Sequence, residues 1–430
     1  MVIALSFAVF FVFLFGGLYI HSTLLGTGLV GILLLGHSSL LPGFMGFQSF
    51  PAVATYSLTT IPMYILTAQF ILQAGIVEDL FTMVYNFSKG KRGLLGATTM
   101  AIGAVLGAVC GSGNATSAAL GQAAYPSLVK HGYNRDLAAA VSAAAGSLSS
   151  IIPPSVVIIV YGVITETPIG KLFLGAIIPG IATTLVYIAC TYYFLARDRK
   201  DGETHEFKRI VVPAKRVLTA GIVGLAISVT IFGGIYTGLM TPTEAGAVSA
   251  MVSFIAALLL GKVNMKFITK AATETVKVTA MIMLIIIGAK IFGKFISLSM
   301  LPRKFIQLLD PLIPYPVLIL AILIALYFVC FMFLEGTAVI LMTTPILVPL
   351  MKAMSIDTLW FGILVCLTCV IGMLTPPVGL CIYSVCGTVK ISVEGPFRYG
   401  LQYALAASLV VGGLMIAFPQ MVTWLPSLMK

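Results

Sequence analysis

Apolar stretches separated by short polar or basic connections run through almost the whole chain. Ten of them, at 2–20, 24–42, 55–74, 136–165, 172–196, 217–238, 243–261, 278–300, 357–388 and 400–426, predict membrane-spanning helices. Each approaches or exceeds the roughly 20 apolar residues a span needs. Two more stretches, 94–130 and 315–352, are apolar but interrupted at their middle by polar tips. The tips read Gly111-Ser112-Gly113-Asn114-Ala115-Thr116 and Glu335-Gly336-Thr337. Arms of about 17 to 20 residues around a polar turn predict re-entrant hairpins, each entering and leaving on one side. Irregular backbone at that depth is tolerated only where protein or a water-filled cavity surrounds it.

Two of the spans carry a double proline, Ile152-Pro153-Pro154-Ser155 and Thr375-Pro376-Pro377-Val378. Gly113, Pro126, Pro153 and Pro154 recur as Gly336, Pro349, Pro376 and Pro377, always 223 residues on (336 − 113, for instance). Paired Gly/Pro interruptions in corresponding halves point to a secondary transporter with its site at the repeat interface.

Composition fits a polytopic membrane protein: 59% of the 430 residues are hydrophobic and 9% charged. The apolar N-terminus reads as a retained helix, because it lacks a basic leader and a small-residue cleavage site. The net charge of +11 does not imply nucleic acid, because the basic residues sit in short loops between apolar runs. With the hairpins treated as non-crossing, about eighteen Lys and Arg fall on one side and five on the other. The richer side, which includes the loop 197–216, is therefore cytoplasmic and both termini face outward. Helix 55–74 then runs inward and helix 278–300 outward, so the repeats are inverted. The organisation expected is N-terminal scaffold helices at 1–50 and a first inverted repeat at 51–196. A basic cytoplasmic loop with scaffold helices follows at 197–277, then a second repeat at 278–430.

Ser112, Asn114 and Thr116 supply hard oxygen ligands on a tip where glycine permits a sharp turn. Half-helix ends add dipoles, so Na⁺ and an anion suit the same place; a small-residue packing surface is the alternative. The double prolines free carbonyls near Ser149 to Ile152 and near Gly372 to Thr375. Glu335, a carboxylate at membrane depth, is a candidate to bind a cation, carry a proton or hold the hairpin by hydrogen bonds. Lys290 and Lys294 lie on one helical face. They either attract an anion or snorkel toward the interface or a partner subunit. Glu244 in Thr241-Pro242-Thr243-Glu244 reads as a helix cap. Trp360 and Trp424 read as interface anchors. Cys366 and Cys369 form a lone C-x-x-C within an apolar helix and read as buried small hydrophobes. No Walker sequence, zinc-spaced His/Cys set or Ser/His/Asp arrangement occurs, so neither ATP hydrolysis nor an enzyme activity is expected.

With these residues in view, the chain resembles the large membrane subunit of tripartite ATP-independent periplasmic (TRAP) transporters. The matching motifs include the first tip, His131-Gly132-Tyr133, Ile152-Pro153-Pro154-Ser155, Ile169-Gly170-Lys171-Leu172-Phe173 and Ile178-Pro179-Gly180. Thr241-Pro242-Thr243-Glu244, Thr344-Pro345-Ile346 and Ile371-Gly372-Met373-Leu374-Thr375-Pro376-Pro377-Val378-Gly379 follow in order. The resemblance implies an elevator transporter in the bacterial inner membrane, driven by Na⁺. It also implies a small four-helix membrane subunit and a periplasmic binding protein that delivers an organic anion. A first sodium site would use Ser112, Asn114 and backbone near Ser149, Ile152 and Ser155. A second would use the Phe331 carbonyl, Gly372, Thr375 and Val378. The anion would lie against Asn114, Thr116, Glu335, Gly336 and Thr337, with Lys294 near. Beside an anion, Glu335 must face a cation or be protonated. Sialic-acid members tend to carry an acidic residue where this chain has Thr116, and Asp where it has Glu335. Small dicarboxylates or sulfonates are thus expected ahead of sialic acid. The rivals are a stand-alone divalent-anion/Na⁺ symporter and a channel-like or structural membrane protein.

Overall fold

The computed structural model describes residues 2–47, 49–89, 91–198, 214–309, 311 and 315–429. Among these residues all regular structure is helical. Most of the basic loop 197–216 lies outside them.

Two helix pairs stand side by side, with Thr60–Ala74 also packed against Met265–Leu298. Ile20–Leu34 lies along Met265–Leu298, and Thr60–Ala74 lies along Pro242–Leu259. Small residues bring the first pair close: a Cβ on Gly28 would stand 2.9 Å from the Phe292 nitrogen. The second pair is joined by a Thr60–Thr243 hydroxyl contact of 2.6 Å. Glu244 forms the expected capping box, its carboxylate accepting from the Thr241 amide at 2.7 Å.

The centre is built from helices apolar all round, which is what a fully enclosed helix requires. Arg135–Ser147 is buried from Leu137 to Ser147, and its run of alanines lets neighbours approach on every side. Thr358–Gly372 is enclosed almost as completely. The Trp360 indole donates to the Met415 carbonyl at 2.9 Å, so its polar edge is engaged within the protein.

Several boundaries differ from the sequence expectation. The first two spans are shorter, Val2–Phe15 and Ile20–Leu34. Their connections turn at Gly17 and Gly36, both left-handed. The run 278–300 belongs to a helix of 34 residues, Met265–Leu298. At 1.5 Å per residue it is about 50 Å long, more than the roughly 30 Å hydrocarbon layer. Exposed Lys266, Lys270 and Lys277 ride on its early turns, with Lys277 paired to Glu274 at 2.9 Å. A helix the hydropathy pattern did not suggest, Ile76–Ser88, bends 66° away from the preceding span. It buries Ile76, Val77, Leu80, Phe81 and Tyr85 on one face. The last run is broken, with Gly413–Ala417 ending before Pro419 and Gln420–Ser427 following.

Candidate functional site

The first hairpin rises as Arg92–Cys110 and returns as Gly113–Ala123. Gly111 between them has φ +62°, and a Cβ there would stand 2.7 Å from the Pro154 carbonyl oxygen, so only glycine fits. Its own carbonyl accepts from the Val156 amide at 3.1 Å, which fastens the tip to the first helix break. Thr116 donates its hydroxyl to the Ser112 carbonyl, and Ser149 donates to Thr116, both at 2.9 Å. The broken helix stops after Ser147 and a 3₁₀ turn, passes a cis Pro153–Pro154 bond and restarts as Val156–Thr165.

The second hairpin has the same plan. Pro316–Phe333 ends, Leu334 is extended, and Gly336–Ala353 returns. Glu335 caps the returning arm: Oε2 accepts from the amides of Thr337 at 2.9 Å and Ala338 at 3.3 Å, and from the Thr337 hydroxyl. The second break runs from Gly372 through a cis Pro376–Pro377 bond to Leu380–Val389. The Gly379 amide donates to the Met332 carbonyl at 3.3 Å, as Val156 does to Gly111.

Element ends repeat at the interval seen in the sequence. Arms end at Cys110 and Phe333 and restart at Gly113 and Gly336. Ser150 and Met373, 223 residues apart, touch each other at 3.5 Å between Oγ and Sδ. Helix ends meet in two pairs: a Cβ on Gly107 would lie 3.0 Å from the Ser149 Cα, and one on Gly372 would lie 2.4 Å from the Phe331 Cβ. Helix starts pair the other way, between halves. Gly113 abuts Cys381, and Gly336 abuts Val157. Partial positive charge is thereby gathered at the starts and partial negative charge at the ends.

Between the tips lies a cavity of about 190 Å³. Ser112, Asn114, Glu335 and Thr337 line it, together with Ser150 and Met373. The last two were not singled out from sequence, although the common offset relates them. Asn114 also approaches Cys381, Oδ1 to Sγ 3.9 Å. The other sequence candidates stand behind this surface. Thr116, Ser149, Ser155 and Thr375 are buried with their hydroxyls engaged, Ser155 on the Ser150 carbonyl at 2.9 Å and Thr375 on the Ile371 carbonyl at 2.8 Å. Phe331 is buried with its backbone against Gly372, and Gly336 is wedged between Val157 and Cys369. Ile152 and Val378 are half-buried at the two breaks. Lys294 is exposed over the Phe44 ring at 5.7 Å and does not line the cavity.

Proline has no amide hydrogen, so Pro153 and Pro376 withdraw the helical donor from the carbonyls four residues earlier, Ser149 and Gly372. Carbonyls and hydroxyls at such ends suit a hard monovalent cation. Among the described residues no three His, Cys, Asp or Glu side chains cluster.

Comparison with known proteins gives a consistent picture. The family model described as "Tripartite ATP-independent periplasmic transporter, DctM component" matches residues 7–421. The sialic acid TRAP transporter large permease protein of Vibrio cholerae is 28% identical over 96% of each chain. The C4-dicarboxylate large permease protein of the same organism is 30% identical over 94% of this chain and 93% of its own. The isethionate TRAP transporter permease protein of Oleidesulfovibrio alaskensis is 29% identical over 86% of this chain, which spans 58% of that relative. In fold, the chain matches the crystal structure of the Alcanivorax borkumensis YdaH transporter, with a TM-score of 0.66 over 89% of both chains at 14% identity.

Proposed function

Because the chain belongs to the DctM-component family of tripartite ATP-independent periplasmic transporters, and so is a multi-pass inner-membrane protein, we propose that it carries out Na⁺-coupled uptake of a small organic anion. The observation that carries this reading is the convergence of both hairpin tips and both helix breaks on one cavity. Helix starts at Gly113 and Gly336 favour negative charge there, and the carbonyl-bearing breaks behind them favour cations. Ser149, Ile152 and Ser155, with Ser112 and Asn114, would hold one Na⁺; Phe331, Gly372, Thr375 and Val378 would hold another. Bound sodium would supply the positive charge that an anion beside Glu335 needs.

A cavity of about 190 Å³ is smaller than the roughly 300–1,000 Å³ typical of drug-sized ligands. That size supports a C4-dicarboxylate or small sulfonate ahead of sialic acid. Relatives named for all three are about equally similar, so identity does not choose among them. We assign the tips and breaks to two inverted repeats that move together as an elevator. The fixed wall would be Thr60–Ala74 and Met265–Leu298, which present apolar Ile65, Ala68, Leu72, Val278, Met281 and Ile282 to the cavity. A small four-helix subunit and a periplasmic binding protein complete the transporter in this reading.

Proteoliposomes holding this chain, its small subunit and a cognate binding protein test it. Uptake is expected to require all three proteins and an inward Na⁺ gradient. Uptake by this chain alone would indicate a stand-alone symporter, and uptake indifferent to Na⁺ would remove both sodium sites.

A further inference from the structure

A second, larger cavity of about 890 Å³ lies beyond the tips, toward the start of Thr60–Ala74 and the end of Met265–Leu298, which are the outward ends in the orientation that the Lys and Arg distribution implies. Its wall stands in register with that of the inter-tip cavity. On Met265–Leu298 the inter-tip cavity uses Val278 and Ile282, and the larger one uses Ile286 and Lys290. Each is eight residues further outward (278 to 286, 282 to 290). On the antiparallel wall segment the inter-tip cavity uses Ile65 and Ala68, and the larger one uses Ser57 and Thr60. These too are eight residues further outward (65 to 57, 68 to 60). Val156 and Val157 border the inter-tip cavity, while Val163 and Ile164, seven residues along the same helix, border the larger one, so the two cavities adjoin along the moving side as well. The two wall segments thus give one displacement of about 12 Å at 1.5 Å per residue.

Resting on the elevator reading above, we propose that Lys290 is a state-specific contact for the transported anion. The larger cavity is the space into which the tips rise. When they do, the position facing them that Ile282 now holds is taken by Lys290. Among the described lining of the inter-tip cavity Glu335 is the only charged side chain, so an anion there has no cationic side chain beside it. In the raised position the Lys290 ammonium stands at the cavity rim and can donate charge-assisted hydrogen bonds to a carboxylate or sulfonate. The anion gains this partner when the site faces outward and loses it on descent. Capture is favoured outside and release inside, with no change in the tips. Lys294 does not share the role, because it lies over Phe44.

The test uses the complete tripartite complex in proteoliposomes, with a panel of succinate, fumarate and isethionate as probes. For a probe that the wild type accumulates, Lys290→Gln is expected to raise the external KM about tenfold, with kcat changed less than about twofold. Lys290→Arg should recover most of that loss, and Lys294→Gln should match the wild type. An unchanged KM in Lys290→Gln would overturn the inference while leaving the transport reading intact. If the wild type accumulates none of the probes, the preference for a small dicarboxylate or sulfonate fails instead, and cross-linking judges Lys290 independently. With the native cysteines replaced, Ile282→Cys paired with Thr337→Cys should cross-link through a short dithiol reagent, and so should Lys290→Cys paired with Thr337→Cys. Cross-linking of the 282 pair alone would overturn the proposal.

Discussion

The two tips reach one geometry by different chemistry. At the first, no charge is used: a left-handed glycine turns the chain, and a relay from Ser149 through Thr116 to the Ser112 carbonyl ties the tip to its broken helix. At the second, a single carboxylate does the corresponding work, with Glu335 accepting from the first amides of the returning arm. The breaks differ likewise. Ser149, Ser150 and Ser155 crowd the first, while Gly372, Met373 and Val378 occupy the second. What the halves share is backbone interruption: hairpin arms that end at matched places, and a broken helix in each half that passes a cis double proline. Side-chain chemistry is free to diverge where the main chain supplies the common groups.

The strongest way to break this comparison is to separate the paired helix ends. A methyl on Gly372 would stand 2.4 Å from the Phe331 Cβ and 3.0 Å from its carbonyl carbon, so the hairpin arm must shift. Overpacking of this kind costs about 1–3 kcal/mol. Gly372→Ala is therefore expected to lower Na⁺-driven uptake more than tenfold in a complex that still elutes intact. Gly107→Ala, with 3.0 Å to the Ser149 Cα, should lower it by about threefold. Equal losses would mean that the two halves are not differently tight.

The Glu335 cap gives the next largest effect. Glu335→Ala leaves the amides of Thr337 and Ala338 without their acceptor, a loss of about 1 kcal/mol. Uptake should fall about fivefold. Glu335→Gln keeps a carbonyl acceptor and should stay within about twofold, which separates capping from charge. A glutamine variant as poor as the alanine variant would give the carboxylate a direct ionic role.

A subtler change sharpens the picture at the first tip. Thr116→Val preserves shape but strands the buried Ser149 hydroxyl, at a cost of about 1–3 kcal/mol. The Na⁺ concentration for half-maximal uptake should rise several-fold, with the anion KM little changed; Thr116→Ser should titrate like the wild type. At the small end stands Lys294→Gln. It removes an exposed cation–π contact worth about 0.5–1 kcal/mol, and uptake should remain within about twofold.

Much of the tip architecture was legible in the chain because it follows from local backbone rules. Gly113, Pro153 and Pro154 mark a helix start and a helix break, and the interval shared with Gly336, Pro376 and Pro377 located the second set from the first. Which face of a returning arm meets the cavity is set by packing, and so was not legible. Thr116 turns inward to Ser149 while Asn114 and Ala115 border the cavity. Lys294 shares a helical face with Lys290, yet the short helix Leu41–Phe47 brings Phe44 beneath it. Ile76–Ser88 escaped notice because Glu78, Asp79 and Asn86 make it too polar for a span. The length of Met265–Leu298 was hidden because its early lysines resemble loop residues, yet one continuous helix carries them.

The contact between Ser150 and Met373 has a bearing on how such a molecule is allowed to change. Two separate copies of one ancestral chain, meeting face to face, would have to place the same amino acid on both sides of that point. A long side chain would then collide with itself, and a short one would leave a gap. Joined in a single polypeptide, the two positions vary independently, and a short hydroxyl here nests against a long, pliable thioether. Covalent linkage thus converts a spot that had to suit itself into a lock and a key of different shapes. Exchanging the two residues is the substitution for which tolerance would be most revealing.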